Sequence, residues 1–270
     1  MNKLAIVTKN PQTYFVKRLI EEVGHSVVLF NPWQDALFPQ ADQYLVRTTG
    51  VYGSDLDLFM LQSLEENQVI NPLSSLRRFR SKMSQYLWFE ENNFPVSPWI
   101  SLKNADLLTV EKFFRLYPDA IVKPNIGQGG WGVQSLKWES FRPWWKKKKG
   151  IDDDYLLQAH VKGATELRYF FITDEFSFVL ERSAKSGIAA NYTLQGSATV
   201  SALPSRFQGM IEQLIYQSGA KYGALDLLIQ EDRLTILELN SVPGIEQLET
   251  LSGLNIIRKL LTAKFFCQIL

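Results

Sequence analysis

The sequence predicts a mixed fold of helices and strands that opens as an α/β unit, and three stretches carry that reading. The first is a strand–helix–strand start: an apolar run over residues 4–8, helical spacing over 11–23 and a second apolar run over 27–30. The second is a pair of short strands, 121–123 and 132–136, joined by a turn rich in glycine. The third is GALDLLIQEDRLTILELNSVPG, residues 223–244, in which two apolar runs flank the polar triplet Glu231-Asp232-Arg233 and read as a hairpin.

In chain order, Pro11 suits the first helical turn and Gly24 the end of that helix. After the Asn31-Pro32 punctuation, residues 44–47 suggest a third strand, 56–66 a helix ending near Asn67, and Val69-Ile70 a strand stub. Asn71-Pro72 breaks the pattern, and the first domain boundary is placed there, giving 1–71 and 72–270. A single helix is expected over 75–91, with Leu76, Phe79, Met83, Tyr86, Leu87 and Glu90 stepping at three and four; it carries Lys82. Pro95 and Pro98 bracket an exit loop, and 106–116 is a helix closed by Pro118. Residues 155–158, 166–173 and 176–182 read as strands, 206–222 as a helix and 256–266 as a terminal helix. No internal repeat or low-complexity segment interrupts this order.

Composition sets outer limits. The chain has 270 residues and is 46% hydrophobic, enough for one large or two medium cores. A net charge of +1 with both signs scattered calls for neither nucleic acid nor an anionic membrane. The lysine run at 146–149, beside Trp144 and Trp145, is short and isolated and reads most simply as a solvated helix end. Cys267 is the single cysteine; it excludes an internal disulfide framework, reads as core filler and fits a reducing compartment, so a cytoplasmic location is expected. A cysteine-poor periplasmic protein would look alike. The opening MNKLAIVTKN holds too short an apolar run for a signal peptide, and no run approaches a membrane span.

Two stretches point to chemistry. If the triplet is the whole hairpin loop, Gln230 faces Leu234, Asp226 falls opposite Glu238, and Asn240 shares Glu238's face. Opposed carboxylates repel, and a set of hard oxygen donors suits Mg²⁺. A two-residue loop instead shifts the register by one and sends Asp226 to the other face; both loops fit the residues. In IVKPNIGQGGWGV, residues 121–133, Lys123 ends a buried strand and Gly127, Gly129, Gly130 and Gly132 come after it. Their backbone amides can close around phosphate oxygens. The chain beyond Gly132 alternates like a strand and offers no helix start, so this is neither a dinucleotide fingerprint nor a Walker loop. A ligand-free turn also accounts for the glycines, but a lysine on a buried strand needs an anion, and phosphate supplies one.

With LLQAHVKGATELRYF, ERSAKSGIAANY and DLL…LELNSVPGIE, these motifs resemble, in order and spacing over nearly the whole chain, the ATP-grasp enzymes, specifically the RimK-like group that includes the ribosomal-protein glutamate ligase. The resemblance implies an α/β and α+β architecture: an ATP-grasp fold with a small amino-terminal α/β (pre-ATP-grasp) domain over 1–71. The remainder would form two α+β subdomains, roughly 72–160 and 161–270, that clasp ATP. Carried over by position, Lys82 and Lys123 resemble the lysines that contact ATP phosphates, and Gly127, Gln128, Gly129, Gly130 and Gly132 the flap over them. Gln158, Ala159, His160 and Val161 fall at the adenine hinge, and Glu166 where an acidic side chain holds the ribose hydroxyls.

Asp226, Glu238 and Asn240 match the family's metal ligands, for Mg²⁺ with Mn²⁺ as a substitute. Arg182, Arg168, Lys185 and Asn191 fall near the reacting centre; ion pairs with Glu166 and Glu181 are the alternative for either arginine, which the family placement outweighs for Arg182 and leaves level for Arg168. Three positions depart from the pattern. Ala159 stands where many relatives carry Glu, and His160 where they carry an aromatic or aliphatic residue; the backbone bonds of a hinge survive both changes, and His160 is otherwise a half-buried histidine. Ala190 stands where glutamate-adding relatives carry arginine, which leaves acceptor choice open.

The resemblance implies an ATP- and Mg²⁺-dependent carboxylate–amine ligase acting through an acyl phosphate. Its partners would be amino-acid or peptide carboxylates and amines, a protein tail among them, with no membrane or nucleic acid; relatives are often dimers or tetramers. Two other readings stay open: a kinase that phosphorylates a hydroxyl, and a regulatory module that binds ATP without turnover.

Overall fold

The computed structural model describes residues 3–49, 55–127, 129–148, 154–183 and 197–266. The chain opens as β1 (Leu4–Val7), α1 (Tyr14–Val23), β2 (Val27–Phe30) and β3 (Gln43–Val46), then α2 (Leu56–Met60) and β4 (Val69–Ile70). The four strands form a parallel sheet in the order β2-β1-β3-β4. Central strands β1 and β3 are buried at every residue, as strands covered on both faces must be. The predicted helix over 56–66 is shorter: α2 runs into the 3₁₀ turns Leu61–Ser63 and Glu66–Gln68. Glu65 starts the second of these afresh through a capping box with Gln68.

The single helix expected over 75–91 is two, α3 (Leu73–Arg78) and α4 (Lys82–Glu91). Ser81 turns extended between them, and its hydroxyl accepts the Ser84 N–H at 3.2 Å, which caps α4 and makes Lys82 its first residue. Next come β5 (Trp99–Ser101), α5 (Leu107–Leu116), β6 (Ala120–Pro124), β7 (Gln134–Leu136), α6 (Trp138–Lys148) and β8 (Tyr155–Ala159). The strands make an antiparallel sheet ordered β5-β8-β6-β7, packed through Val110, Phe113, Phe114, Phe141 and Trp145. Lysines 146–148 lie in the last turn of α6, the helix end their sequence suggests.

The third sheet contains β9 (Thr165–Ile172), β10 (Phe176–Ser183), β11 (Ser197–Ser201), β12 (Tyr222–Gln230) and β13 (Arg233–Asn240), in the order β11-β10-β9-β12-β13. Helix α7 (Gln208–Ser218) precedes β12, and α8 (Glu246–Ser252) and α9 (Ile256–Leu261) close the described chain. Two predicted helices are trimmed: Gly219, in the left-handed region, ends the one expected to reach 222, and the terminal helix stops at Leu261.

The hairpin corrects its own prediction. Gln230 pairs with Arg233, so the loop is Glu231-Asp232 and the three-residue loop is wrong. That register alone would turn Asp226 away from Glu238. A bulge restores the pairing: Leu227 pairs with Ile236 and Asp226 with Glu238, leaving Leu237 as the extra residue. Leu234, Ile236 and Leu239 can therefore all reach the core while Asp226 and Glu238 share the opposite face.

Residue 71, where the sequence suggests a boundary, is no loose linker. Asn71 is fully buried; its amide donates to Tyr222 O (2.9 Å) and Ser241 O (3.0 Å) and accepts from Lys221 N (2.6 Å) and Tyr222 N (3.0 Å). One core cluster accordingly joins Leu4, Ile6 and Phe15 to Tyr222, Ile245 and Ile256. No helix among the described residues is long and apolar enough to cross a membrane.

Candidate active site

A cavity of about 1010 Å³ is lined from both antiparallel sheets and from the start of α4. On the third sheet, alternation along neighbouring strands gathers its charges on one face. Asp226 pairs in register with Arg168 on β9 and with Glu238 on β13, and Glu166 on β9 pairs with Arg182 on β10. The Arg168 guanidinium grips Asp226 at both oxygens, Nε to Oδ1 at 2.7 Å and Nη2 to Oδ2 at 2.6 Å. Arg182 Nη1 lies 3.2 Å from Glu166 Oε1 and 3.5 Å from Asp226 Oδ1.

At Asp226, Arg168 and Arg182 burial is the largest influence and opposes the charge; the neighbours outweigh it at the first two and not at the third. Arg168 and Arg182 outweigh burial at Asp226 and hold its carboxyl below the ordinary carboxylate value. The fields of Asp226, Glu238 and Glu166 and the Asp226 hydrogen bonds likewise hold Arg168 above its usual range. At Arg182 burial wins, with Arg168 adding repulsion, and its pKa is pushed down. Both arginines make ion pairs, Arg182 with the expected Glu166 and Arg168 with Asp226 in place of Glu166 or Glu181, and both also line the cavity.

Opposite them, Lys123 near the end of β6 is 7% exposed. Its Nζ donates to Tyr86 Oη and, at 2.7 Å, to Gln158 Oε1. Burial, then the charge of Lys82, brings its pKa down to about 7 against the pull of Glu238. Lys82 reaches the same space from α4, its Nζ 3.3 Å from Gly127 O and 3.7 Å from Glu238 Oε2. The glycine turn comes after β6: Gly127, Gly129 and Gly130 line the cavity, whereas Gly132 supports it from behind. Gly132 has φ +75°, and a Cβ there would lie 2.8 Å from Pro124 Cγ, so only glycine fits.

At the hinge, Ala159 N–H donates to Pro98 O (2.8 Å), Ala159 O accepts from Ser97 Oγ (2.7 Å), and His160 N–H donates to Asp119 O (3.1 Å). These three groups are committed to the protein. Burial, then Lys162, lowers the His160 pKa against the pull of Asp119. Among the described residues, three buried polar atoms of the lining have no hydrogen-bond partner: His160 Nδ1, Gln158 Nε2 and Arg182 Nε. Such atoms are costly unless a ligand or water meets them.

Of the predicted residues, Lys82, Lys123, Gly127, Gly129, Gly130, Gln158, Ala159, His160, Val161, Glu166, Arg168, Arg182, Asp226, Glu238 and Asn240 meet at this one cavity. Gln128, Lys185, Asn191 and the departure at Ala190 lie outside the described residues. The donor set suits a hard cation: Glu238 is partly open, and each Asp226 oxygen keeps a lone pair beyond its arginine bond. Asn240 Oδ1 accepts the Val242 N–H at 3.0 Å and likewise retains acceptor capacity. Tyr86 and Gln85 were missed as site residues. Helical spacing marked Tyr86 as core, which its ring is; its hydroxyl turns to Lys123.

Comparison with known proteins agrees with this geometry. The RimK-like ATP-grasp domain matches residues 119–263, more than half of the chain. A probable alpha-L-glutamate ligase of Stenotrophomonas maltophilia (strain K279a) is 25% identical over 287 aligned positions, covering 96% of this chain and 97% of the relative. Among solved structures, D-alanine–D-alanine ligase from Bacillus anthracis complexed with ATP superposes with a TM-score of 0.72 at 17% identity, covering 97% of this chain and 95% of that one. The macrocyclase MdnC from Microcystis aeruginosa MRC, bound with precursor peptide MdnA, gives 0.72 at 15% identity, covering 96% and 97%. With the domain matched over all of the third sheet and three of the four strands of the second, this chain belongs to the RimK-like ATP-grasp family of ligases.

Proposed function

We propose that the chain is an ATP- and Mg²⁺-dependent carboxylate–amine ligase that joins an amino-acid or peptide carboxylate to an amine through an acyl phosphate. The observation that carries this reading is the convergence on one cavity of two lysines from one side and an arginine–carboxylate face from the other. Lys82 and Lys123 lie across the cavity from Arg168, Arg182, Glu166, Asp226 and Glu238, so cationic groups for phosphate and carboxylate oxygens for a divalent cation share one space.

In this reading, the subdomains 72–160 and 161–270 hold ATP between them. Lys82 and Lys123 bind its phosphates, the hinge at 158–161 takes the adenine through backbone groups other than the committed Ala159 N–H, Ala159 O and His160 N–H, and Glu166 takes the ribose. Asp226, Glu238 and Asn240 would hold Mg²⁺, or Mn²⁺ in its place, which when bound neutralises phosphate charge. The substrate carboxylate attacks the terminal phosphorus and ADP leaves; the amine then attacks the acyl carbon and phosphate leaves. Arg182, whose Nε has no protein partner among the described residues, would steady the acyl phosphate, and Arg168 would hold Asp226 ionised. Lys185 and Asn191 are proposed to complete the reacting centre. The names of the glutamate-ligase relative and of the peptide-bound neighbour favour an amino acid joined to a peptide or protein tail. The reducing compartment suited to a single cysteine makes the cytoplasm the proposed location.

The test is phosphate release from ATP and Mg²⁺ across a panel of amino acids, peptides and amines, with Asp226→Ala plus Glu238→Ala as the blank. Glu238→Gln is the milder control, because it leaves the Arg168–Asp226 pair intact. Release that requires both a carboxylate and an amine, and falls at least about 100-fold in the variants, is expected. ADP formed without free phosphate would replace the ligase by a kinase. ATP binding with no turnover on any panel would favour a regulatory module.

A further inference from the structure

We propose that Tyr86 is a positioning residue whose single hydroxyl fixes both the phosphate-binding lysine and the bulge that sets the metal-binding register. The inference rests on the nucleotide reading above. Helix α4 presents Lys82, Gln85 and Tyr86, at i, i+3 and i+4, to strand β13. Lys82 reaches Glu238, and Gln85 Oε1 accepts the Leu239 N–H at 2.8 Å while its own amide donates to Phe79 O at 2.9 Å. Tyr86 Oη donates to Leu237 O at 2.9 Å and accepts from Lys123 Nζ.

Leu237 is the extra residue of the bulge, and β13 is the edge strand of its sheet. Its backbone groups facing away from β12 need partners from elsewhere. Ile236 N–H finds Pro95 O at 2.8 Å, Leu239 N–H finds Gln85, and Leu237 O finds Tyr86. Since a one-residue slip turns every side chain to the other face, these bonds hold Glu238 beside Asp226. The same hydroxyl orients Lys123 across the cavity. The aromatic ring is fully buried against Phe89 and Trp99, so Tyr86→Phe keeps the packing and removes only the hydroxyl's contacts, to Leu237 O, Lys123 Nζ and, at 3.3 Å, Gln158 Oε1.

The experiment measures the Kd of ATP, with and without MgCl₂, by calorimetry on wild type, Tyr86→Phe, Lys123→Met and the double variant. Tyr86→Phe is expected to weaken ATP about tenfold, the scale of a hydrogen bond to a charged group. In the Lys123→Met background the same change should shift the Mg²⁺-free Kd by less than about twofold, because the coupled partner is gone. The Mg²⁺ concentration that half-saturates the ATP complex should rise about tenfold in Tyr86→Phe, as for other residues that orient metal ligands. Gln85→Leu, a second variant that spares Lys123, should raise the Mg²⁺ requirement by a larger factor than it weakens Mg²⁺-free binding. A lowered melting temperature with ATP affinity and Mg²⁺ requirement intact in both variants would reduce Tyr86 to a packing residue and overturn the proposal, as would full additivity in the cycle. A wild type that binds no ATP would overturn the nucleotide reading itself, a failure visible before any variant is compared.

Discussion

Lys123 titrates at about 7 rather than the ordinary 10.5, chiefly because burial disfavours its charge and secondarily because Lys82 stands nearby. Below pH 7 the lysine is charged in both folded and unfolded states and burdens the fold; between those two values the unfolded chain holds the extra proton, so stability rises with pH there. Phosphate reverses the preference, since an anion beside Nζ favours the charged form. ATP binding near pH 8 is therefore expected to take up close to one proton, and affinity to fall as pH rises above 7. Calorimetry in buffers of different ionisation enthalpy checks this, and Lys123→Met should abolish the uptake. At this scale Lys123, Asp226 and Glu238 are legible as charges within apolar strands, whereas Lys82 is singled out only by the family resemblance; all four line the one cavity. Tyr86 was not legible, because a tyrosine at helical spacing looks the same whether its hydroxyl meets solvent or a buried lysine. Nor could the sequence reveal that Asp226 is held at both oxygens by Arg168, a pairing made across strands β9 and β12.

Elements differ in how well the sequence announces them. Long apolar runs such as β12 and β13 were readable, whereas β5, β11 and α8 are short and carry no strong period. The break between α3 and α4 depends on Ser81, whose capping role is visible only once the chain is seen to turn there. The hairpin is the most instructive case, since a two-residue loop and a bulge cancel in their effect on Asp226 and Glu238. A trace existed in the sequence: Leu234, Ile236 and Leu239 cannot share one face at strict period two, which calls for one extra residue between them. In the glycine turn, Gly132→Ala places a Cβ against Pro124 at a φ of +75°. It is expected to destabilise the turn by roughly 1–3 kcal/mol and to weaken ATP several-fold, with far smaller loss in global melting temperature; thermal melts and ATP titration read the two separately.

At the scale of the whole molecule, two antiparallel sheets enclose the cavity, and the parallel sheet at the amino terminus is bound to the third through Asn71 and a shared core. The division proposed after residue 71 thus falls at a seam with buried hydrogen bonds, and the segment just after β3 also reaches the cavity, through Thr48 and Thr49. That placement makes the amino-terminal unit one wall of the cavity. The general α/β start was legible from its strand–helix–strand pattern; the way the sheets close on one another was not, because it rests on contacts far apart in sequence. The central claim, that a carboxylate is activated by phosphorylation, is tested most directly with ¹⁸O. Once the panel has identified a carboxylate substrate, it is labelled at both oxygens, and the phosphate released in a single turnover is examined by mass spectrometry. Transfer of one labelled oxygen to phosphate is expected, because the acyl phosphate breaks between the acyl carbon and the bridging oxygen. Unlabelled phosphate alongside product would contradict the account.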